Sequence, residues 1–216
     1  QLSGSDFLKV LQRIIDFVFE KLYSQNMGET PVGYYKKIHF DRFTSRIDID
    51  SPDGLFNEVR NAKTLKVNGR TLNTWYTERE WLSEHFEELA EKYSPSHLMK
   101  IHGDFHLQNI LYDYENDAFI LADPRGELDG GDLFYDMGKL WHSLNGRYDF
   151  IHTDQYEINW NETKDSVEID YSNIFGINLF DSLKGPVRKM LDLKFRALGI
   201  TDWYERMLFN ELMHFS

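Results

Sequence analysis

Phe7, Leu8, Leu11, Ile14, Ile15, Val18, Phe19 and Leu22 recur at helical steps, with Lys9, Arg13 and Asp16 between them. That period places the apolar residues on one face of a helix ending near Tyr23, and Ser5-Asp6 ahead of it offer N-capping oxygens. Residues 25–62 lose the period and carry Pro31, Gly33, Pro52 and Gly54, so they read as irregular with one short helix around 34–43. Thr64-Leu65-Lys66-Val67 and Arg70-Thr71-Leu72 flank Asn68-Gly69, a pair that tolerates the positive φ angles of a type I′ hairpin turn. Trp75, Trp81, Leu82, Phe86, Leu89 and Tyr93 mark a second helix, capped by Thr74 and stopped before Pro95. Its aromatic stripe of Trp75, Trp81, Phe86 and Tyr93 is expected in the core.

The second half alternates short apolar runs with turns. Residues 97–101 read as an extended entry, and 110–114 and 118–122 as a hairpin joined by Glu115-Asn116-Asp117. A Gly/Asp-rich loop over 124–131 leads to a helix over 132–144, which Asn145-Gly146 ends. Tyr156, Ile158 and Trp160 alternate, as do Val167, Ile169 and Tyr171, predicting a hairpin over 161–164. Two helices, 179–198 and 202–214, close the chain on either side of Gly199. The predicted class is α+β, mainly helical with small β-hairpins, and not a doubly wound sheet. No internal repeat or low-complexity linker interrupts it, so residues 1–216 read as a single domain.

Composition narrows the partners. With 41% hydrophobic and 15% aromatic residues the chain can build a core. Its 24 Lys+Arg against 36 Asp+Glu give a net charge of −12. A chain that acidic lacks the basic field that displaces counterions from nucleic-acid phosphates, so no nucleic-acid partner is expected. The acidity serves solubility, or else draws a cationic substrate. The absence of cysteine excludes disulfides and thiolate chemistry. No run has the length of a membrane span and no signal-peptide pattern opens the chain, so a cytoplasmic protein without a membrane partner is expected. Gln1 in place of an initiator Met fits either processing or a start inside a longer protein.

The chemistry concentrates in His102-Gly103-Asp104-Phe105-His106-Leu107-Gln108-Asn109, with Asp123 fourteen residues after Asn109. Phosphoryl transfer needs an aspartate that orients the acceptor hydroxyl and takes its proton, and hard oxygen ligands that hold magnesium on the phosphates. Asp104 is placed to be the base. Asn109 enters the first hairpin strand and Asp123 leaves the second, so the hairpin brings them side by side as metal ligands. The blander reading of the segment is a polar turn before a strand, with side chains capping backbone groups. An Asx-Pro turn would likewise account for Asp123 alone.

These residues, with the following Asp-Pro-Arg-Gly loop and Gly131-Asp132-Leu133-Phe134-Tyr135-Asp136, resemble the catalytic core of the aminoglycoside phosphotransferase/choline kinase family. The resemblance covers roughly residues 98–145, and the order of elements fits that family's large helical lobe. It implies a protein-kinase-like fold and an ATP-dependent small-molecule kinase using Mg²⁺. It assigns the base to Asp104, magnesium and nucleotide phosphate binding to Asn109 and Asp123, and support of the catalytic loop to His102, His106, Asp132 and Asp136. Leu107 stands where the family often has proline, and Pro124-Arg125-Gly126 follow Asp123 in place of Phe-Gly. The family's small lobe, with its phosphate loop and paired lysine, has no counterpart in residues 1–97. The chain therefore reads as the C-terminal lobe, with an N-terminal nucleotide-binding lobe upstream as its partner.

Asp132 reads more readily as the cap of the next helix than as a substrate ligand. Arg125, Glu127 and Asp129 are candidates to touch substrate, or else form ion pairs on the loop surface. The acceptor class includes sugars, amino alcohols and aminoglycosides, and the acidic balance leans toward a cationic one. Two other readings compete. One is a kinase-like lobe kept as a non-catalytic binding module. The other is a two-metal phosphoesterase, which Gly103-Asp104-Phe105-His106 opens but no later motif completes.

Overall fold

The computed structural model describes residues 3–41, 63–125, 129–151, 156–161, 166–170 and 176–214. The first apolar period forms helix α1 (Gly4–Lys21). Its cap is Ser3 and not Ser5-Asp6, because Gly4 and Ser5 already lie within the helix. The Ser3 hydroxyl accepts the Asp6 N–H at 3.3 Å and donates to the Asp6 carboxylate at 2.7 Å.

Part of the stretch expected to be irregular is strand. β1 (Asn26–Glu29) pairs antiparallel with β4 (His97–Met99), with a bulge between Asn26 and Gly28. Every residue of β1 is exposed, so no alternation marks it in the sequence. The short helix expected at 34–43 is present as a π-helical turn, Lys36–Phe40. The Asn-Gly hairpin joins β2 (Thr64–Val67) to β3 (Arg70–Asn73), with φ of 47° at Asn68 and 78° at Gly69. Helix α2 (Trp75–Tyr93) follows. Thr74 precedes it but makes no capping bond, since its hydroxyl turns to the Lys63 carbonyl at 3.4 Å. Within the expected core stripe, Phe86 and Tyr93 are buried, whereas Trp81 is 45% exposed and stacks on His85 one turn later.

The motif hairpin comprises β5 (Ile110–Asp113) and β6 (Ala118–Leu121) in the register Ile110↔Leu121. Helix α3 (Leu133–Leu144) starts at its cap Asp132, whose carboxylate accepts the Phe134 N–H at 3.0 Å. A four-residue helix, α4 (Tyr148–Ile151), follows. The late alternation forms β7 (Glu157–Asn161) and β8 (Ser166–Asp170), paired antiparallel. β8 also pairs in parallel with β2, giving a four-stranded sheet in the order β3-β2-β8-β7. The Asn68 side chain ties the two hairpins, accepting from Ile169 N–H at 2.7 Å and donating to its carbonyl at 3.0 Å. Helices α5 (Ile177–Ala197) and α6 (Trp203–Met213) end the chain. The fold is thus α+β, mainly helical, with small sheets. Among the described residues no helix is long and apolar enough to cross a membrane.

Helices α1, α3, α5 and α6 share the main core, in which Ile15, Met137, Leu140, Leu191 and Phe195 are shut from solvent. Phe105 of the motif sits in that core, so the chemistry-bearing loop is anchored to it. Tyr35, Leu82, Phe86, Leu98 and Phe209 form a second cluster. α3 and α6 approach closely at Gly138, where a Cβ would lie 2.8 Å from the Glu211 nitrogen and 2.9 Å from the Asn210 carbonyl carbon. Backbone cannot yield as a flexible side chain can. Gly138→Ala is therefore expected to cost about 1–3 kcal/mol by overpacking. Chemical denaturation checks this, and an unchanged midpoint would show that the two helices part without loss.

Candidate active site

The loop between β4 and β5 has few backbone partners of its own and is held from α3. The Asp136 carboxylate accepts the His102 N–H at 2.7 Å and the Gly103 N–H at 2.8 Å, and Tyr23 donates its hydroxyl at 3.1 Å. At the other end of α3, the Ser143 hydroxyl accepts the Leu107 N–H at 3.0 Å. Gly103 adopts φ 83°, a left-handed conformation that only glycine takes without strain, and this turns the chain into Asp104. Phe105 then fixes the loop in the core. Asp136 thus holds this loop by buried hydrogen bonds.

The hairpin brings the remaining motif residues back to this loop. Asn109 donates its amide to the Asp104 carbonyl at 2.9 Å, and its own carbonyl accepts from Ala122 N–H at 2.8 Å. Arg125 N–H donates to the His102 carbonyl at 2.8 Å, so the exit strand is stitched to the loop. Between these two bonds sits Asp123, at φ 51°. A non-glycine residue held there carries strain of the kind that accumulates at working sites. Asp104, Asn109, Asp123, His102, His106 and Arg125 are thus brought together.

Asp104 is buried and flanked by two cations. Lys139 Nζ lies 3.1 Å from Oδ1, at ion-pair distance but without hydrogen-bond angles. Arg125 Nε lies 3.3 Å from Oδ2, while its Nη2 reaches Asp123 at 3.1 Å. His106 Nε2 is 3.8 Å from Oδ2. Burial holds His102 below the ordinary histidine value, and its Nδ1 accepts the Asp104 N–H at 3.3 Å.

The other sequence candidates fall elsewhere. Asp132 is a buried helix cap, bonded to the Tyr35 hydroxyl and the Asn210 amide, and burial raises its carboxyl. Asp129 is exposed and makes no hydrogen bond or ion pair with a described residue, and Glu127 lies outside the described residues. Arg125 takes the ion-pair role. Lys139 was missed, although it lies one turn beyond Asp136 on α3 and so shares its face. Asp149 of α4 was missed too; its Oδ1 lies 3.8 Å from His106 Nδ1.

The donor set fits a hard divalent cation. With its amide nitrogen committed to the Asp104 carbonyl, Asn109 keeps its side-chain oxygen for a ligand. The Asp123 carboxylate is 61% exposed, and Arg125 already places a positive charge between it and Asp104. Among the described residues no group of three or more His, Cys, Asp or Glu side chains could hold a metal ion by itself. Magnesium held by one or two protein oxygens and completed by phosphate oxygens and water needs no such cage.

Burial pushes the Asp136 carboxyl up to about 6, against its hydrogen bonds to His102, Gly103 and Tyr23, which lower it. Because this lies above the ordinary 3.8, the group's favourable contribution is complete below that value and is lost as pH rises through about 6. Asp136→Asn can accept fewer of the converging donors. It is expected to lose about 1–3 kcal/mol at neutral pH through an unsatisfied buried N–H. It should also flatten the part of the stability profile between about pH 4 and 6 that Asp136 supplies. Denaturant melts across that range test both effects. The chain matches no protein-family model, no curated protein and no solved structure.

Proposed function

We propose that this chain is the metal-and-base lobe of an ATP-dependent phosphotransferase acting on a hydroxyl of a small molecule. The observation that carries the reading is the convergence of Asp104, Asn109 and Asp123 through the Asn109 amide bond and the Asn109–Ala122 rung. In this reading the acceptor hydroxyl gives its proton to Asp104 as its oxygen bonds to the γ-phosphorus and the bond to the β-phosphate oxygen breaks, releasing ADP. Asn109 and Asp123 hold magnesium, which neutralises charge on the phosphates when bound. Lys139 keeps the Asp104 carboxylate oriented from behind. Arg125, which touches both Asp104 and Asp123, would face the transferred group. The acceptor is a sugar, an amino alcohol or an aminoglycoside.

An upstream small lobe completes the nucleotide site in this reading. Leu111 and Ile120 are direct cross-strand partners on β5 and β6, yet 54% and 64% exposed. An exposed apolar pair on the hairpin that leads to Asp123 fits a nucleotide base and a lobe closing over it. The non-catalytic alternative draws on Arg125, whose guanidinium bridges the two carboxylates that metal and substrate would need.

With the upstream lobe present, ATP consumption is expected to require magnesium, to stop with chelator and to return on adding magnesium back. Asp104→Asn should lower kcat by on the order of a hundredfold or more while nucleotide still binds. Near-normal turnover in that variant would remove the base assignment. A screen of sugars, amino alcohols and aminoglycosides identifies the acceptor. The 216-residue chain alone is expected to bind ATP weakly by calorimetry. Tight binding would overturn the missing-lobe reading.

A further inference from the structure

Behind His106 lies a carboxylate that the phosphotransfer chemistry above does not use. Asp149 is nine-tenths buried, and neither of its carboxylate oxygens accepts a hydrogen bond among the described residues. His106 Nδ1 is also buried without a hydrogen-bond partner among the described residues, 3.8 Å from Asp149 Oδ1. A buried carboxylate without a donor is costly, and so is a buried ring nitrogen without a partner. An ionised carboxylate only accepts, so it satisfies His106 when the ring carries its proton on Nδ1.

The local fold is built to bring them together. Asn145 ends α3, and Arg147 takes φ 56°, reversing the chain so that α4 returns toward the loop. Arg147 is held to Asp181 of α5 at 3.0 Å. From α4, the Tyr148 ring meets the His106 ring edge-on at 5.4 Å, and the Asp149 carbonyl accepts the Gln108 amide at 3.2 Å. Three separate contacts thus run from α4 to the catalytic loop.

We infer that Asp149 is a positioning residue that keeps the His106 proton on Nδ1 and off Nε2. Nε2 faces Asp104 Oδ2 at 3.8 Å. A proton on Nε2 would let the ring donate to Oδ2 and occupy the lone pair that a base must offer to an acceptor hydroxyl. With the proton on Nδ1, His106 leaves the Oδ2 lone pair that it faces free for an acceptor hydroxyl. The inference rests on the phosphotransferase reading only for what Asp104 then does; the state of the ring is a property of the folded chain.

The test reads that state directly. Two-bond ¹H–¹⁵N correlation of the His106 ring in the whole labelled chain, assigned with His106→Gln, is expected to show Nδ1 protonated and Nε2 bare at pH ~8. Asp149→Asn, which can donate an amide proton to Nδ1, and Asp149→Leu, which cannot accept one, should both move the proton to Nε2. A protonated Nε2 in the unaltered chain would overturn the inference without any variant, and so would an unmoved ring signal in both folded variants. Where turnover is available, Asp149→Asn should lower kcat by roughly ten- to a hundredfold, the size seen on losing a partner that orients a histidine, with the KM for ATP little changed. Equal loss through KM would overturn the positioning role. A ring proton held on Nδ1 in a protein that never transfers phosphate would sustain the Asp149–His106 pairing and remove the kinase reading instead.

Discussion

The geometry of the candidate site depends on one buried carboxylate. Asp136 receives two consecutive backbone N–H groups, those of His102 and Gly103, at the point where the chain leaves β4 and turns through a left-handed glycine. Buried backbone donors must be satisfied, and a loop has no ladder to satisfy them. A side chain from a neighbouring helix fills the need and fixes the loop's height above the core at the same time. Asp104 then projects from a backbone held by α3 on one side and by the buried Phe105 ring on the other.

That arrangement also decides the local electrostatics. The chain carries a net charge of −12, yet the surroundings of Asp104 are positive. Lys139 approaches Oδ1 from α3 and Arg125 approaches Oδ2 from the loop after β6. Near a buried carboxylate such contacts act through a lower effective dielectric than the many exposed acids do, so overall charge is a poor guide to the field at the site. The lean toward a cationic acceptor drawn from composition has no counterpart in the groups touching Asp104, which are cationic themselves.

Much of the architecture was legible because local rules acted without opposition. Period 3.6 located α1 and α2, Gly199 separated the two final helices, and Asn68-Gly69 marked a hairpin whose turn residues both have positive φ. The spacing from Asn109 to Asp123 implied a hairpin that returns one to the other, and β5 and β6 form it. Legibility failed where partners lay outside the local window. β1 is exposed throughout and exists only because β4 pairs with it. The parallel pairing of β2 with β8 joins two hairpins that each looked complete. Trp81 shared the helical period of buried aromatics, yet it lies out on the surface against His85.

The amino-acid sequence by itself determined the elements and the short motif, because helix period, turn chemistry and the order Asp104, Asn109, Asp123 are all encoded within a few residues of one another. The groups that surround the motif were decided only by tertiary structure. Lys139 reaches Asp104 because α3 packs under the loop, and Asp149 reaches His106 because the break after Asn145 sends the chain back. Neither contact leaves a local signature, since an ordinary lysine of α3 and an ordinary aspartate of α4 acquire their meaning from what lies across a fold boundary.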